Sequence, residues 1–96
     1  MTYRVRVRSM ALAEFAEAVE WYSARSAQAA ERFVAATEAS FDRLGRAAHQ
    51  CPAVHTDIRR LGIPGFPYSI YFRLLGADCY VFALMHGRRN PRRWQR

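Results

Sequence analysis

The sequence lacks lysine altogether, contains only two cysteines and has no long apolar run. Because no stretch approaches the roughly 20 apolar residues of a bilayer-spanning helix, contact with a membrane is not expected. The segment from Met1 to Met10 alternates arginine with apolar residues and lacks the apolar core of a signal peptide. These absences predict a cytoplasmic protein.

The two cysteines, Cys51 and Cys79, are expected to be reduced thiols that pack as small apolar side chains, because disulfides are rare in the cytosol. Neither cysteine lies at metal-ligand spacing from a histidine, which disfavours a zinc site. No metal and no cofactor is therefore expected.

Charge is distributed unevenly along the chain, which carries a net +7 with all fifteen basic residues being arginine. The segment from Ser9 to Gln50 holds four arginines and six acids, a balance of −2. The remainder holds eleven arginines and two acids, a balance of +9. Such a basic surface favours an acidic protein segment or a nucleic acid as partner. A surface that serves only solubility is the alternative, which the five arginines among the last nine residues disfavour.

The length of 96 residues predicts a single domain spanning residues 1–96, because two halves would be too small to hold separate cores. Its clearest strand signal runs from Tyr3 to Arg8, where apolar residues and arginines alternate strictly. The residues expected to face the core are Tyr3, Val5 and Val7, and those expected to face outward are Arg4, Arg6 and Arg8. Three outward charges favour an edge strand, since charge discourages stray pairing.

Two amphipathic helices are predicted next. Ser9 is placed to cap the first helix and Ser26 the second, with a break in the pattern from Ser23 to Ser26. The apolar stripe of the first helix is Leu12, Phe15, Val19 and Tyr22. The stripe of the second is Ala30, Val34, Thr37, Phe41 and Leu44, with Phe33 beside it. The short link predicts an antiparallel helical hairpin that ends before Pro52.

From Thr56 onward the apolar period changes to two, which predicts strands. A short strand is expected from His55 to Gly62, and Phe66 and Pro67 open a second one. The faces of that second strand are Tyr68, Ile70, Phe72 and Leu74 on one side and Ser69, Tyr71 and Arg73 on the other.

After a turn at Gly76 and Ala77, a last strand is predicted from Asp78 to His86, and it is apolar on both faces. Those faces are Cys79, Val81, Ala83 and Met85 on one side and Tyr80, Phe82 and Leu84 on the other. Because the helical hairpin can cover only one face, the other requires the chain's own tail or a partner. The order β-α-α-β-β-β predicts an α+β fold, with the hairpin packed on a small, mostly antiparallel sheet.

Three stretches together resemble the RelE/ParE toxins of type II toxin–antitoxin systems. In the helices these are Ala18-Val19-Glu20-Trp21-Tyr22 and Ala30-Glu31-Arg32-Phe33. In the strands they are Phe66-Pro67-Tyr68-Ser69-Ile70-Tyr71-Phe72. At the end they are His86-Gly87-Arg88-Arg89-Asn90-Pro91-Arg92-Arg93-Trp94. The resemblance implies the same fold, and it implies hetero-oligomers with a cognate acidic antitoxin that lies over the toxin's groove.

The resemblance implies two mechanisms, since RelE-like members cut messenger RNA in the ribosome whereas ParE-like members inhibit DNA gyrase. RNA cleavage needs an acid, a base and cations. The RelE-like members use lysine and arginine for this chemistry, and here lysine is absent and Ser69 stands where several nucleases carry arginine. If the chain were a nuclease, its candidate catalytic residues would be Arg73, His86 and Arg89. The ending is closer to ParE, which favours a non-enzymatic gyrase inhibitor; a toxin remnant that only binds its antitoxin is a third alternative.

A set of residues is predicted to contact the target or the antitoxin. Arginines and a tryptophan follow the last strand, and these residue types are enriched in interface hot spots. The predicted contact residues are Tyr71, Arg73, His86, Arg88, Arg89, Arg92, Arg93 and Trp94.

Overall fold

A computed structural model describes residues 2–87 of the chain. Its elements are β1 (Arg4–Val7), α1 (Ser9–Ser23), α2 (Ala27–Ala47), a short 3-10 helix (Ala48–Gln50), β2 (Ala53–His55), β3 (Ile58–Gly62), β4 (Tyr68–Leu75) and β5 (Asp78–His86). Within this range, no helix is long and apolar enough to cross a membrane.

The strands of residues 2–87 form one sheet in the order β1-β5-β4-β3-β2. β1 pairs in parallel with β5, from Arg4 opposite Asp78 to Val7 opposite Val81. The other neighbouring strands pair antiparallel. The predicted α+β fold with a mostly antiparallel sheet is confirmed, and so is the position of β1 at an edge.

The single strand predicted from His55 to Gly62 is wrong. This segment contains the hairpin of β2 and β3, with His55 paired to Ile58 around a turn at Thr56 and Asp57. Thr56 has φ 47°, a left-handed conformation that is unusual for a β-branched residue. The element order is therefore β-α-α-β-β-β-β.

The two serine caps have different outcomes. The prediction for Ser26 is confirmed, because its Oγ accepts a hydrogen bond from the backbone N–H of Ala29 at 3.1 Å. The prediction for Ser9 is wrong: it is the first residue of α1, and the capping position belongs to Arg8, whose side chain makes no capping bond.

Leu12 does not belong to the buried stripe of α1, since it is 52% exposed. The fully buried residues of this helix are instead the small Ala11 and Ala18. Small side chains at these positions let the helix approach the sheet closely, and α1 packs chiefly on β5. Phe15, Val19 and Tyr22 pack against the core as predicted.

The core between the helices and the sheet is centred on Phe33, which has no exposed surface. Its ring centroid lies 5.1–5.9 Å from four other aromatic rings. These rings are those of Phe15, Tyr22, Phe66 and Tyr68. The hairpin is therefore fixed to β4 and the segment before it by aromatic contacts.

The predicted faces of β5 are wrong beyond its middle. Tyr71 pairs with Ala83 whereas Phe72 pairs with Val81, so Phe82 is an extra residue that forms a β-bulge. One extra residue exchanges the two faces of a strand. As a result the helix-side core takes Cys79, Val81 and Leu84, and the opposite face takes Ala83 and Met85. The faces predicted for β4 are confirmed.

Candidate functional site

The side of the sheet opposite α1 and α2, termed here the helix-free face, carries a second apolar cluster. Among residues 2–87 no helical residue belongs to this cluster. Its members are Ile58, Tyr71, Ala83 and Met85, with Phe82 packed at the edge. Each of the first four is at most 7% exposed, so the second apolar face of β5 is not an open patch in the isolated chain.

Arginines surround that cluster because strand alternation directs them to the same face. The β1 arginines alternate with core-facing valines, Arg60 lies opposite Tyr71, and Arg73 lies opposite Tyr80. The set is Arg4, Arg6, Arg8, Arg60 and Arg73. The acids that contact this set within residues 2–87 are Asp57 and Asp78. Five arginines and two aspartates give the face an excess of positive charge.

The side chain of Arg73 contacts the carboxylate of Asp57 on one side and the ring of Phe82 on the other. Its Nε lies 3.3 Å from Oδ1 of Asp57, at the tip of the β2–β3 hairpin. Its guanidinium carbon lies 5.5 Å from the ring centroid of Phe82, the bulged residue. With 49% of its side chain exposed, Arg73 reaches solvent, but its charge is already partly compensated.

At the other end of the face, Asp78 joins two arginines of β1. Its Oδ1 lies 2.9 Å from Nε of Arg4 and 3.2 Å from Nε of Arg6. Burial of the carboxyl acts to raise its pKa, but the hydrogen bonds and charges of Arg6 and Arg4 together hold the pKa below its ordinary value. The guanidinium of Arg8 instead lies 6.0 Å from the ring centroid of Tyr80.

His86 lies on the opposite side of the sheet. It pairs with Tyr68, and the two rings meet edge to face with centroids 5.3 Å apart. Tyr68 itself packs against Phe33 in the helix-side core. The bulge at Phe82 causes this, because without it His86 would share a face with Tyr80. The structure therefore brings Tyr71 and Arg73 to one face and His86 to the other.

Five of the predicted contact residues lie outside the described range. They are Arg88, Arg89, Arg92, Arg93 and Trp94.

Two side-chain arrangements were not predicted from the sequence. Arg25 stacks 3.6 Å above the ring of Trp21 and donates a hydrogen bond to its carbonyl oxygen at 2.9 Å. The spacing of four residues on a helix is the signal that could have found this pair. Oε1 of Glu14 accepts a hydrogen bond from the backbone N–H of Leu84 at 3.0 Å. No local sequence pattern indicates that contact, which joins residues 70 positions apart.

Both cysteines are buried free thiols, as predicted. Burial, with a smaller effect from Cys51, raises the pKa of Cys79 to about 12, and burial also raises the pKa of Cys51. The thiols therefore stay protonated at neutral pH and serve as packing groups. Over residues 2–87, no three histidine, cysteine or acidic side chains are grouped so that they could hold a metal ion.

Comparisons with known proteins agree with this architecture. The family model described as "ParE toxin of type II toxin-antitoxin system, parDE" matches residues 5–91. Toxin RelE1 of Caulobacter vibrioides is 33% identical over 89 residues, which cover 91% of this chain and 96% of the relative. A chain in the structure of the chromosomal ParDE TA system from P. aeruginosa superposes with a TM-score of 0.78 at 18% identity, covering 88% of this chain and 96% of that one. The structural likeness shows the fold, while the family model and the relative show the family. The chain therefore belongs to the ParE toxin family of type II toxin–antitoxin systems.

Proposed function

We propose that this toxin inhibits DNA gyrase by protein contact, as its resemblance to ParE implies, and that a cognate acidic antitoxin neutralises it. The observation that carries the proposal is the separation of Arg73 from His86 by the sheet. Cleavage of RNA requires an acid, a base and a cation around one phosphate. Arg73 and His86, two of the three candidate catalytic residues, lie on opposite faces of the sheet.

The surroundings of Arg73 support the same conclusion. A cation that stabilises a phosphorane must approach the scissile phosphate closely. Nε of Arg73 already lies 3.3 Å from Oδ1 of Asp57, so the charge of this arginine is partly compensated before any phosphate binds. An arginine held between a carboxylate and a ring suits a contact with another protein better than it suits cleavage of RNA.

The contact surface proposed for gyrase combines Arg73 with the segment after β5. That segment contributes Arg88, Arg89, Arg92, Arg93 and Trp94. Tyr71, also predicted as a contact residue, is only 7% exposed and packs in the apolar cluster of the same face as Arg73. His86, the last residue of β5, is proposed to contribute to the contact from the helix side of the sheet. We treat residues 1–96 as one toxin domain.

The gyrase proposal is tested by two assays on the purified toxin. It should inhibit supercoiling by gyrase and leave ribosome-bound messenger RNA intact. Cleaved messenger RNA with unaffected supercoiling would contradict the proposal and make Arg73, His86 and Arg89 the first residues to substitute. Growth that continues during expression without antitoxin would identify a remnant that only binds its antitoxin.

A ribosome-dependent messenger RNA endonuclease is the second candidate. One observation favours it: a relative that shares 33% of its residues with this chain is named Toxin RelE1. The cleavage assay decides between the two functions, because an inhibitor that acts on gyrase by protein contact does not cleave messenger RNA.

An antitoxin is the partner that membership of a type II system implies. We infer that its acidic segment lies on the helix-free face near Arg60 and Arg73, where charge rather than open apolar surface is available. Binding should weaken as salt rises, because salt screens exposed charges. Replacing Arg60 and Arg73 by glutamine should weaken binding at least tenfold, whereas the same change at Arg32 and Arg46 on α2 should alter it less than twofold. Equal losses in both double variants would contradict this location.

The tail is proposed to belong to the toxic surface rather than to the fold. Deleting residues 92–96 removes Trp94 and three arginines. Growth inhibition should be lost while the melting temperature and antitoxin binding change little. A truncated chain that unfolds would show a structural tail, and one that stays fully toxic would locate the toxic surface elsewhere.

A further inference from the structure

The edge strand β1 presents three arginines in a row on the helix-free face. Arg4, Arg6 and Arg8 alternate with Val5 and Val7, which pack toward the helix-side core. Residues two apart on a strand are separated by about 6.6 Å. This separation is close to that of successive phosphates along a nucleic acid strand, so the row repeats at the spacing of a sugar–phosphate backbone.

The arginine row remains positively charged after its internal ion pairs are counted. Asp78 binds both Arg4 and Arg6, so three arginines and one carboxylate leave a balance of +2. The side chains of Arg4 and Arg6 are still 69% and 54% exposed. Asp78 therefore orients the two guanidinium groups by accepting hydrogen bonds from Nε and Nη2 of Arg4 and from Nε of Arg6, which leaves their other N–H groups as donors. Phosphate and carboxylate are the acceptors that match such planar donors.

The aromatic residues beside the row offer only part of their rings for stacking on bases, since Tyr80 and Phe82 are half-buried. The guanidinium of Arg8 lies 6.0 Å from the ring centroid of Tyr80, and that of Arg73 lies 5.5 Å from the ring centroid of Phe82. Tyr71 is only 7% exposed. Proteins that bind single strands without sequence preference rely on open aromatic rings. Half-buried rings beside an exposed row of charge favour a double helix, whose bases are already stacked, over a single strand.

We propose that β1 binds the phosphate backbone of duplex DNA through Arg4, Arg6 and Arg8, without reading its sequence. This contact goes beyond gyrase inhibition and rests on it only for the choice of DNA. A toxin bound to gyrase lies beside the enzyme's DNA, and the β1 row would hold that duplex against the toxin. The row lies on the same helix-free face as Arg60 and Arg73, with Tyr80 of β5 between Arg6 and Arg73.

Fluorescence anisotropy with a labelled duplex of mixed sequence tests the proposal without gyrase. Replacing Arg4, Arg6 and Arg8 by glutamine should weaken duplex binding at least tenfold at low salt. It should also reduce the slope of log K against log salt by roughly 2 to 3, since each phosphate contact contributes about 0.9. The matched control replaces Arg32, Arg43 and Arg46 of α2 by glutamine, which removes the same charge from exposed helix positions. It should change the affinity less than threefold.

Several outcomes would overturn the proposal. Equal losses in the two triple variants would show that net charge alone drives binding. Tighter binding of single-stranded DNA or RNA than of the duplex would reject a double helix as ligand. Intact duplex binding with weakened antitoxin binding would assign the row to the antitoxin.

The single variant Arg8→Gln serves as the test if the triple variant fails to fold, because Arg8 makes no ion pair with Asp78. This variant should lower the slope of log K against log salt by about 1. A toxin that binds duplex DNA but does not inhibit supercoiling would support the row and contradict the gyrase proposal.

Discussion

The two faces of the sheet differ in what their side chains do. On the helix side, Phe33 is enclosed by four aromatic rings within a large apolar cluster. On the helix-free face, a small apolar cluster is ringed by arginines, and two aspartates hold three of those arginines. The same strands supply both faces by alternation.

The helix side of the sheet is therefore expected to determine stability, and the helix-free face to determine binding. Burial of aromatic and aliphatic side chains supplies most of the free energy of folding. Exposed ion pairs supply little, typically below about 1 kcal/mol each. Substitutions on the helix side should therefore act on unfolding, whereas arginine substitutions on the helix-free face should act on binding.

The largest effect is expected from Phe33→Ala. Removing a fully buried ring leaves a cavity among its neighbours, which costs about 3 to 5 kcal/mol of unfolding free energy. Denaturant unfolding followed by circular dichroism measures this cost. Phe82→Ala, at the edge of the helix-free cluster, is the matched control and should cost about 1 kcal/mol. Similar costs for the two variants would contradict the division between the faces.

A smaller effect should follow from Ser26→Ala. The Oγ of Ser26 accepts the N–H of Ala29, and loss of such a cap costs about 1 kcal/mol. Ser9→Ala is its control, because Ser9 makes no capping bond and the substitution should change the unfolding free energy by less than about 0.5 kcal/mol. A larger loss from Ser9→Ala would show that the start of α1 depends on this side chain.

Thr56→Gly should stabilise the chain slightly. A residue other than glycine in the left-handed region costs about 1 to 2 kcal/mol, and Thr56 has φ 47°. Glycine removes that cost but loses more conformational freedom on folding. A net gain of about 0.5 kcal/mol is expected in thermal unfolding. Thr56→Ala, which retains a Cβ, should give no such gain; equal gains would indicate a cause other than backbone conformation.

The smallest change in stability is expected from Arg73→Gln. Its ion pair with Asp57 is exposed, so its loss should cost about 0.5 kcal/mol or less. Inhibition of gyrase should nevertheless require at least tenfold more toxin. Arg46→Gln on α2 should leave both quantities unchanged. A variant at Arg73 that unfolds readily while inhibiting normally would reverse the roles assigned to the two faces.

Alternation and helical spacing predicted the order of most elements and the inward face of β4. These signals worked on β4 because one of its faces packs in the helix-side core, so its alternation reflects burial directly. The division of β5 could not be predicted, because both faces of that strand are apolar and its pattern contains no mark of the bulge at Phe82. The placement of His86 depends on that bulge, so the candidate site was predicted as a set of residues but not as one surface.

The β2–β3 hairpin was missed for a related reason. Its turn at Thr56 and Asp57 lacks the glycine or asparagine that usually marks such turns. Leu12 was assigned to the core by spacing alone, whereas the close packing of α1 on β5 uses alanines instead. A local sequence pattern indicates which residues are polar or apolar, but it does not indicate how closely a helix such as α1 packs on a strand such as β5.

The parallel pairing of β1 with β5 has a consequence for synthesis of the chain. Arg4 and its partner Asp78 are 74 residues apart, so at 5–20 residues per second the earlier strand waits roughly 4 to 15 s for the later one. During this interval the arginines at alternate positions discourage premature pairing with other nascent chains. A nascent chain released before β5 would carry all five arginines of the helix-free face but lack the strand that joins β1 to the sheet, so toxicity should begin only after β5 has been translated.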